Sequence, residues 1–154
     1  MKKLILLVAL TSFVFAGSVR ADDSPWFDMQ NCAMCKSMGD MMNHVTMETH
    51  VLSDGMLSLT IVDPDYADKW AKVHQEMGAT AQKVMAGEDL YVCNSCKSLL
   101  HLMQAGAEVQ NVDSPGTHSS MMLVTSDKPE LAKMIQDHAK RNIEEMAKMM
   151  GDEK

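Results

Sequence analysis

Two stretches, "CAMCKS" at residues 32–37 and "CNSCKS" at residues 93–98, each hold a pair of cysteines separated by two residues. Together they contain every cysteine in the chain. They lie 61 positions apart, and their surroundings are patterned alike. Each pair runs into apolar residues at helical spacing, then two alternating segments around a turn, then a long amphipathic stretch. After the first pair these are "VTMETHVL", "SDG", "MLSLTIV" and "VDPDYADKWAKVHQEMGATAQKVMAG"; after the second, "AEVQNV", "DSPGTH", "SSMMLVT" and "SDKPELAKMIQDHAKRNIEEMAKMMG". Asp63, Lys69 and His74 recur as Asp127, Lys133 and His138 at an offset of 64. This predicts an internal duplication, with halves at 22–88 and 89–154 folding as one compact domain. The expected class is α+β: a duplicated αββα unit whose antiparallel sheet is covered by helices on one face.

Punctuation supports those elements. "SDG" between alternating runs is a hairpin turn. Asp63 with Pro64 marks a helix start, and Tyr66, Trp70, Val73, Met77, Ala81 and Val84 form its apolar stripe up to Gly87. Gly106 closes the helix after the second cysteine pair. Ser126 or Asp127 caps the last helix, and Gly151 stops it. The segment from Cys32 to Asn43 has helical spacing but contains Gly39, so only a short or weak helix is expected there.

The chain opens "MKKLILLVALTSFVFAGSVRA": two lysines, an apolar run from Leu4 to Ala16, and a Val-x-Ala pattern ending at Ala21. This reads as a secretory signal peptide, 1–21, with an apolar part too short for an ordinary membrane anchor. The expected location is periplasmic or secreted, with no membrane association after cleavage. Loss of Lys2, Lys3 and Arg20 leaves 11 basic against 21 acidic residues, a net charge of −10. Such a surface repels phosphate backbones, so nucleic acid is excluded as a partner.

Two residues between cysteines at the mouth of a helix put both sulfurs beside unsatisfied backbone N–H groups, with Lys36 or Lys97 next door. Thiolate, the form that binds metal or attacks a disulfide, is thereby favoured. Two such pairs in matched halves suit one tetrahedral site made by Cys32, Cys35, Cys93 and Cys96. Methionine is abundant, 17 residues in all, and Met29, Met34, Met38, Met41 and Met42 surround the first pair. Thioethers are soft ligands, which brings Cu(I) beside Zn(II) as the expected cofactor and adds Met34 and Met38 as candidate ligands. His44 and His101 follow their cysteine pairs, and His101 is the candidate nitrogen donor. Met77, Met103, Met121, Met134 and Met146 fall on core stripes or strand faces and are expected to pack. His74 and His138 border buried stripes, where a histidine satisfied by a neighbouring polar group is the ordinary case.

Two other chemistries fit the cysteines. An oxidising compartment suits a thiol–disulfide oxidoreductase. Against it, no aromatic residue precedes Cys32, neither pair encloses proline or histidine, and the strand–helix order of thioredoxin-like enzymes is missing. Alternatively, the cysteines form disulfides that staple an interaction module together. No glycine-rich phosphate loop, serine nucleophile elbow or catalytic carboxylate pair is present, so turnover is not expected.

The order C-x-x-C, helix, strand, turn, strand, "DP", helix, Gly resembles the heavy-metal-associated domain. The likeness is carried by "CAMC" and "VTMETHVLSDGMLSLTIVDPDYADKWAKVHQEMG" and, less well, by "CNSC" with its following segments. The glycine-methionine lead-in to the first cysteine is absent, and "MQN" before Cys32 is no strand. The resemblance implies ferredoxin-like character and transfer of Cu(I) between proteins. The expected activity is thus sequestration or delivery of a metal ion, with another periplasmic protein as exchange partner.

Overall fold

The computed structural model describes residues 24–114 and 118–151. The expected signal peptide, 1–21, lies outside the described residues. Among those described there are four strands and three α-helices: β1 (Val45–Val51), β2 (Gly55–Val62), α1 (Ala67–Met85), α2 (Asn94–Gln104), β3 (Glu108–Ser114), β4 (Ser119–Thr125) and α3 (Pro129–Gly151). Two 3-10 segments, Lys36–His44 and Pro64–Tyr66, precede β1 and α1.

The sheet is wholly antiparallel, in the order β1-β2-β4-β3. Two hairpins meet through their inner strands, with Gly55 opposite Thr125 and Ile61 opposite Ser119. The expected mixed α+β class with an antiparallel sheet is what is found. The element order, ββααββα, differs from the βαββαβ of ferredoxin-like folds.

Alternation sorts the side chains. Val45, Met47, Met56, Thr60, Val62, Met122, Val124 and Val109 share the face toward the helices, by parity and register. The central strands turn Leu57, Leu59, Ile61, Met121 and Leu123 to the other side, where Ile61 and Met121 are exposed. Met56 and Val124 pack with Leu102 of α2 and with Leu131, Ile135 and Ala139 of α3. Gln136 fastens α3 to the β1–β2 turn by donating to the carbonyls of Leu52 and Ser53, both at 2.9 Å. A second cluster joins Trp70 and Val73 of α1 to Met38, Met41 and Val62.

Glycine decides two helix ends. Gly87 and Gly106 have φ of +93° and +96°, the left-handed turn that releases α1 and α2. Just ahead of α3, the Ser126 Oγ accepts the Lys128 N–H at 3.1 Å, a local turn that leads the chain into the helix rather than a cap on it. The segment expected as a weak helix after Cys32 is instead a 3-10 run beginning at Lys36, without a side-chain cap. Gly39 within it and the lack of a cap remove what an α-helix would need.

Candidate metal centre

The third buried cluster is built around sulfur: Cys32, Met34, Cys35, Cys93 and Cys96 with Val92 and Leu100, backed by Ala81 and Val84 of α1. The two cysteine turns are assembled alike. In the first, the Lys36 N–H donates to the Cys32 carbonyl at 2.9 Å; in the second, the Lys97 N–H donates to the Cys93 carbonyl at 2.9 Å. Each turn folds its two sulfurs to the same side.

Different anchors hold the turns in place. Before the first, the Asp28 carboxylate accepts the Asn31 N–H at 2.8 Å, the Gln30 N–H at 3.1 Å and the Tyr91 hydroxyl at 3.1 Å. Those bonds, the Asn31 N–H foremost, hold its pKa below the ordinary carboxylate value. The Ala33 N–H then donates to the Tyr91 carbonyl at 2.8 Å, tying the first turn to the chain just ahead of the second. Cys93 is the extended N-cap residue of α2, whose first N–H groups are met by an N-terminal strap. Asn94 donates to the Pro25 carbonyl at 3.3 Å and Ser95 to the Trp26 carbonyl at 2.9 Å.

The strap is pinned from above by α3. The Trp26 indole N–H donates to Asn142 Oδ1 at 2.8 Å, and the Ser95 hydroxyl donates to the same oxygen at 3.0 Å. Asn142 Nδ2 therefore faces His138 Nε2 at 3.0 Å as donor, which leaves Nδ1–H of a neutral imidazole to donate to Ser98 Oγ at 2.9 Å. Burial lowers the pKa of His138 to about 4. Arg141 stacks over the Trp26 ring at 4.7 Å. The sequence marked His138 as a satisfied buried histidine, and it is one. The strap itself left no sequence signal.

All four sulfurs lie within 4.8 Å of one another. Cys35 Sγ is 3.3 Å from Cys96 Sγ and 3.8 Å from Cys93 Sγ, and Cys32 Sγ is 3.8 Å from Cys96 Sγ. Four thiolates at Zn–S distances of ~2.3 Å stand at tetrahedral corners ~3.8 Å apart. The cage thus has the right size for one ion, and its donor set is that of a soft or borderline metal. All four cysteines are free thiols and all are buried, Cys32 and Cys93 completely.

Crowding divides their protonation. Cys32 is pushed toward thiolate by S–H contacts from Cys35, then Cys93 and Cys96. Cys93 is lowered to about 6: its contact with Cys32 opposes ionisation, and those with Cys35 and Cys96 outweigh it. Cys35 and Cys96 are pushed up by their contact with Cys32 foremost, and act as the proton donors. A bound cation would replace those shared protons.

The expected accessory ligands are placed differently. Met34 is buried inside the sulfur cluster, and Met38 lies one turn on, its N–H bonded to the Cys35 carbonyl at 2.9 Å. His101 is exposed in the last turn of α2. Among the described residues, the convergent group of Cys, His, Asp and Glu side chains consists of the four cysteines. His44 stacks on Tyr66 at 3.5 Å and pairs with Asp63 at 3.2 Å. No described helix is long and apolar enough to cross a membrane.

No protein-family model, curated protein or solved structure matches the chain.

Proposed function

We propose that this protein is exported, binds one Cu(I) or Zn(II) ion through Cys32, Cys35, Cys93 and Cys96, and sequesters or delivers it without turnover. The observation that carries this reading is the convergence of four buried sulfurs, from turns 61 residues apart, at the spacing of a tetrahedral site. Export rests on the N-terminal lysines, short apolar run and small-residue boundary. The matched Lys36 and Lys97 hydrogen bonds support descent of the two halves from one αββα ancestor, which would give the cage approximate twofold symmetry. Each thiol that becomes a ligand releases its proton. An exchange partner's thiolates or thioethers would then displace the sulfurs one at a time, so that the ion is never released as a hydrated species.

A second reading has its own support. Cys35 and Cys96 both line the cleft, and their sulfurs, 3.3 Å apart, are close enough to form a cross-link after small movement. A thiol–disulfide oxidoreductase would exchange a partner's disulfide for a Cys35–Cys96 bond at the cleft wall, the partner leaving as two thiols. Native mass spectrometry of protein isolated from its own compartment, before and after a chelator and a thiol-alkylating reagent, separates the readings. The metal reading expects one ion's mass per chain and four thiols that alkylate only after chelation. Two alkylatable thiols without metal indicate the redox reading, and four protected cysteines indicate a disulfide-stapled module.

A further inference from the structure

The four-sulfur cage is not sealed equally on all sides. Cys32 and Cys93 face only protein, whereas Cys35 and Cys96 form part of the wall of a cleft of about 480 Å³ between the sheet and the helices. Methionine is the commonest residue of that wall. Met29, Met34 and Met38 line it: Met29 and Met34 pack against the cysteine cluster, and Met38 is tied to Cys35 by its backbone N–H, while Met47, Met77 and Met122 line it as well. On the other face the two central strands carry Leu57, Leu59, Ile61 and Leu123 and one methionine, Met121, which also reaches the cleft wall. The thioethers are therefore concentrated on the side that leads to the cage.

Methionine fills irregular gaps as leucine does, so packing alone accounts for some of this concentration. Met29 and Met34 do both at once: they pack against the cysteine cluster and line the cleft that leads to it. The cleft does not carry groups hostile to a cation: no lysine or arginine is among its described lining residues. Thioethers are neutral, soft donors that select Cu(I) and offer little to Zn(II).

We propose, on the reading that the four cysteines bind metal, that the cargo is Cu(I) and that Met29, Met34 and Met38 form its entry and exit path. The ion passes from thioether sulfur to Cys35 and Cys96 before the buried pair completes its coordination. No electron is transferred; each cysteine still protonated when it becomes a ligand loses that proton to solvent, and a cysteine already present as thiolate loses none. Cys32 and Cys93 hold the ion in place, and Cys35 and Cys96 are the first to bind and the first to let go.

The test is stopped-flow loading of the reduced full chain from a chromophoric Cu(I) chelator and, separately, from a Zn(II) chelator. Replacing Met29, Met34 and Met38 together by Leu keeps volume and apolarity while removing the thioethers. The variant should slow Cu(I) loading and unloading at least tenfold, leave the final stoichiometry at one ion, and leave the Zn(II) rate within twofold. Unchanged Cu(I) kinetics would overturn the path, as would equal slowing of both ions, which marks a damaged cleft. If the triple variant does not fold, each single Met→Leu variant must slow Cu(I) loading at least twofold, and three silent singles overturn the proposal. Failure of the underlying reading looks different: wild-type protein then takes up neither ion.

Discussion

Cys35 and Cys96 occupy equivalent places in two matched turns 61 residues apart, and their sulfurs lie 3.3 Å from each other. Neither turn can assemble the group alone. The contact therefore depends on the Ala33–Tyr91 hydrogen bond and on the α1 residues Ala81 and Val84 that back both turns. A cage shared between halves makes a prediction that two separate sites do not. Each of Cys32→Ser, Cys35→Ser, Cys93→Ser and Cys96→Ser should weaken binding of the same single ion by at least a hundredfold in competition titrations. Two independent sites would instead leave one normal ion after any single substitution.

Occupancy of that cage should be felt by the whole fold. An ion that binds only the folded chain would add about 4 kcal/mol at a free concentration a thousand times its dissociation constant. Chelation should lower the urea midpoint accordingly and leave the slope of the transition unchanged. An unchanged midpoint would mean that the sulfurs hold no ion in the native state.

His138 gives a pH dependence of definite sign. Its pKa lies near 4 in the fold, below the ~6.5 of an unfolded histidine. The unfolded chain therefore takes up the proton first. The stabilisation is complete above about pH 6.5 and is lost as the pH falls toward 4. Protonation would also set two donors, Nε2–H and Asn142 Nδ2, against each other. The loss should reach about 2 kcal/mol at pH 5. Carboxylates and thiols contribute in the same range, so the measurement is the difference between wild type and His138→Gln in urea unfolding at pH 7 and pH 5. Parallel pH profiles for the two proteins would remove His138 as the cause.

The sequence exposes the parts of this molecule that are repeated or periodic. Both hairpins and the long helices follow from alternation and glycine stops, whereas the C-x-x-C pairs left a shared four-sulfur site open beside a redox couple and disulfide staples. It is weaker where tertiary contacts choose. Met121 and Met134 fit apolar patterns but are exposed, because periodicity fixes a face and not what covers it. His44 sits near a cysteine pair in sequence and turns away to Tyr66 and Asp63. The strap of Pro25 and Trp26 over the start of α2 was illegible, since its bonds depend on Asn142, 116 residues from Trp26.

Glycine to alanine should have opposite effects at two positions. A Cβ on Gly55 would overlap the Val124 carbonyl oxygen and come within 2.9 Å of Thr125 Cα, forcing β2 away from β4. Overpacking of this kind costs about 1–3 kcal/mol. Gly78 lies exposed inside α1, with no atom within 4 Å of an added Cβ. Alanine there should stabilise by about 0.5–1 kcal/mol. Thermal melts of Gly55→Ala and Gly78→Ala should move in opposite directions; a fall in both would contradict the helical placement of Gly78.

Trp70 packs with Val73, Met38 and Val62, yet its indole N–H is buried without a hydrogen-bond partner among the described residues. An unmet buried donor costs about 1–3 kcal/mol, and its removal returns that amount. Trp70→Phe deletes the donor and also some packed ring, and the two effects oppose each other. The variant should stay within about 1 kcal/mol of wild type in urea unfolding, while Trp70→Ala, which opens a large cavity, should lose about 3–5 kcal/mol. A loss as large for phenylalanine as for alanine would show that the indole N–H is satisfied in solution.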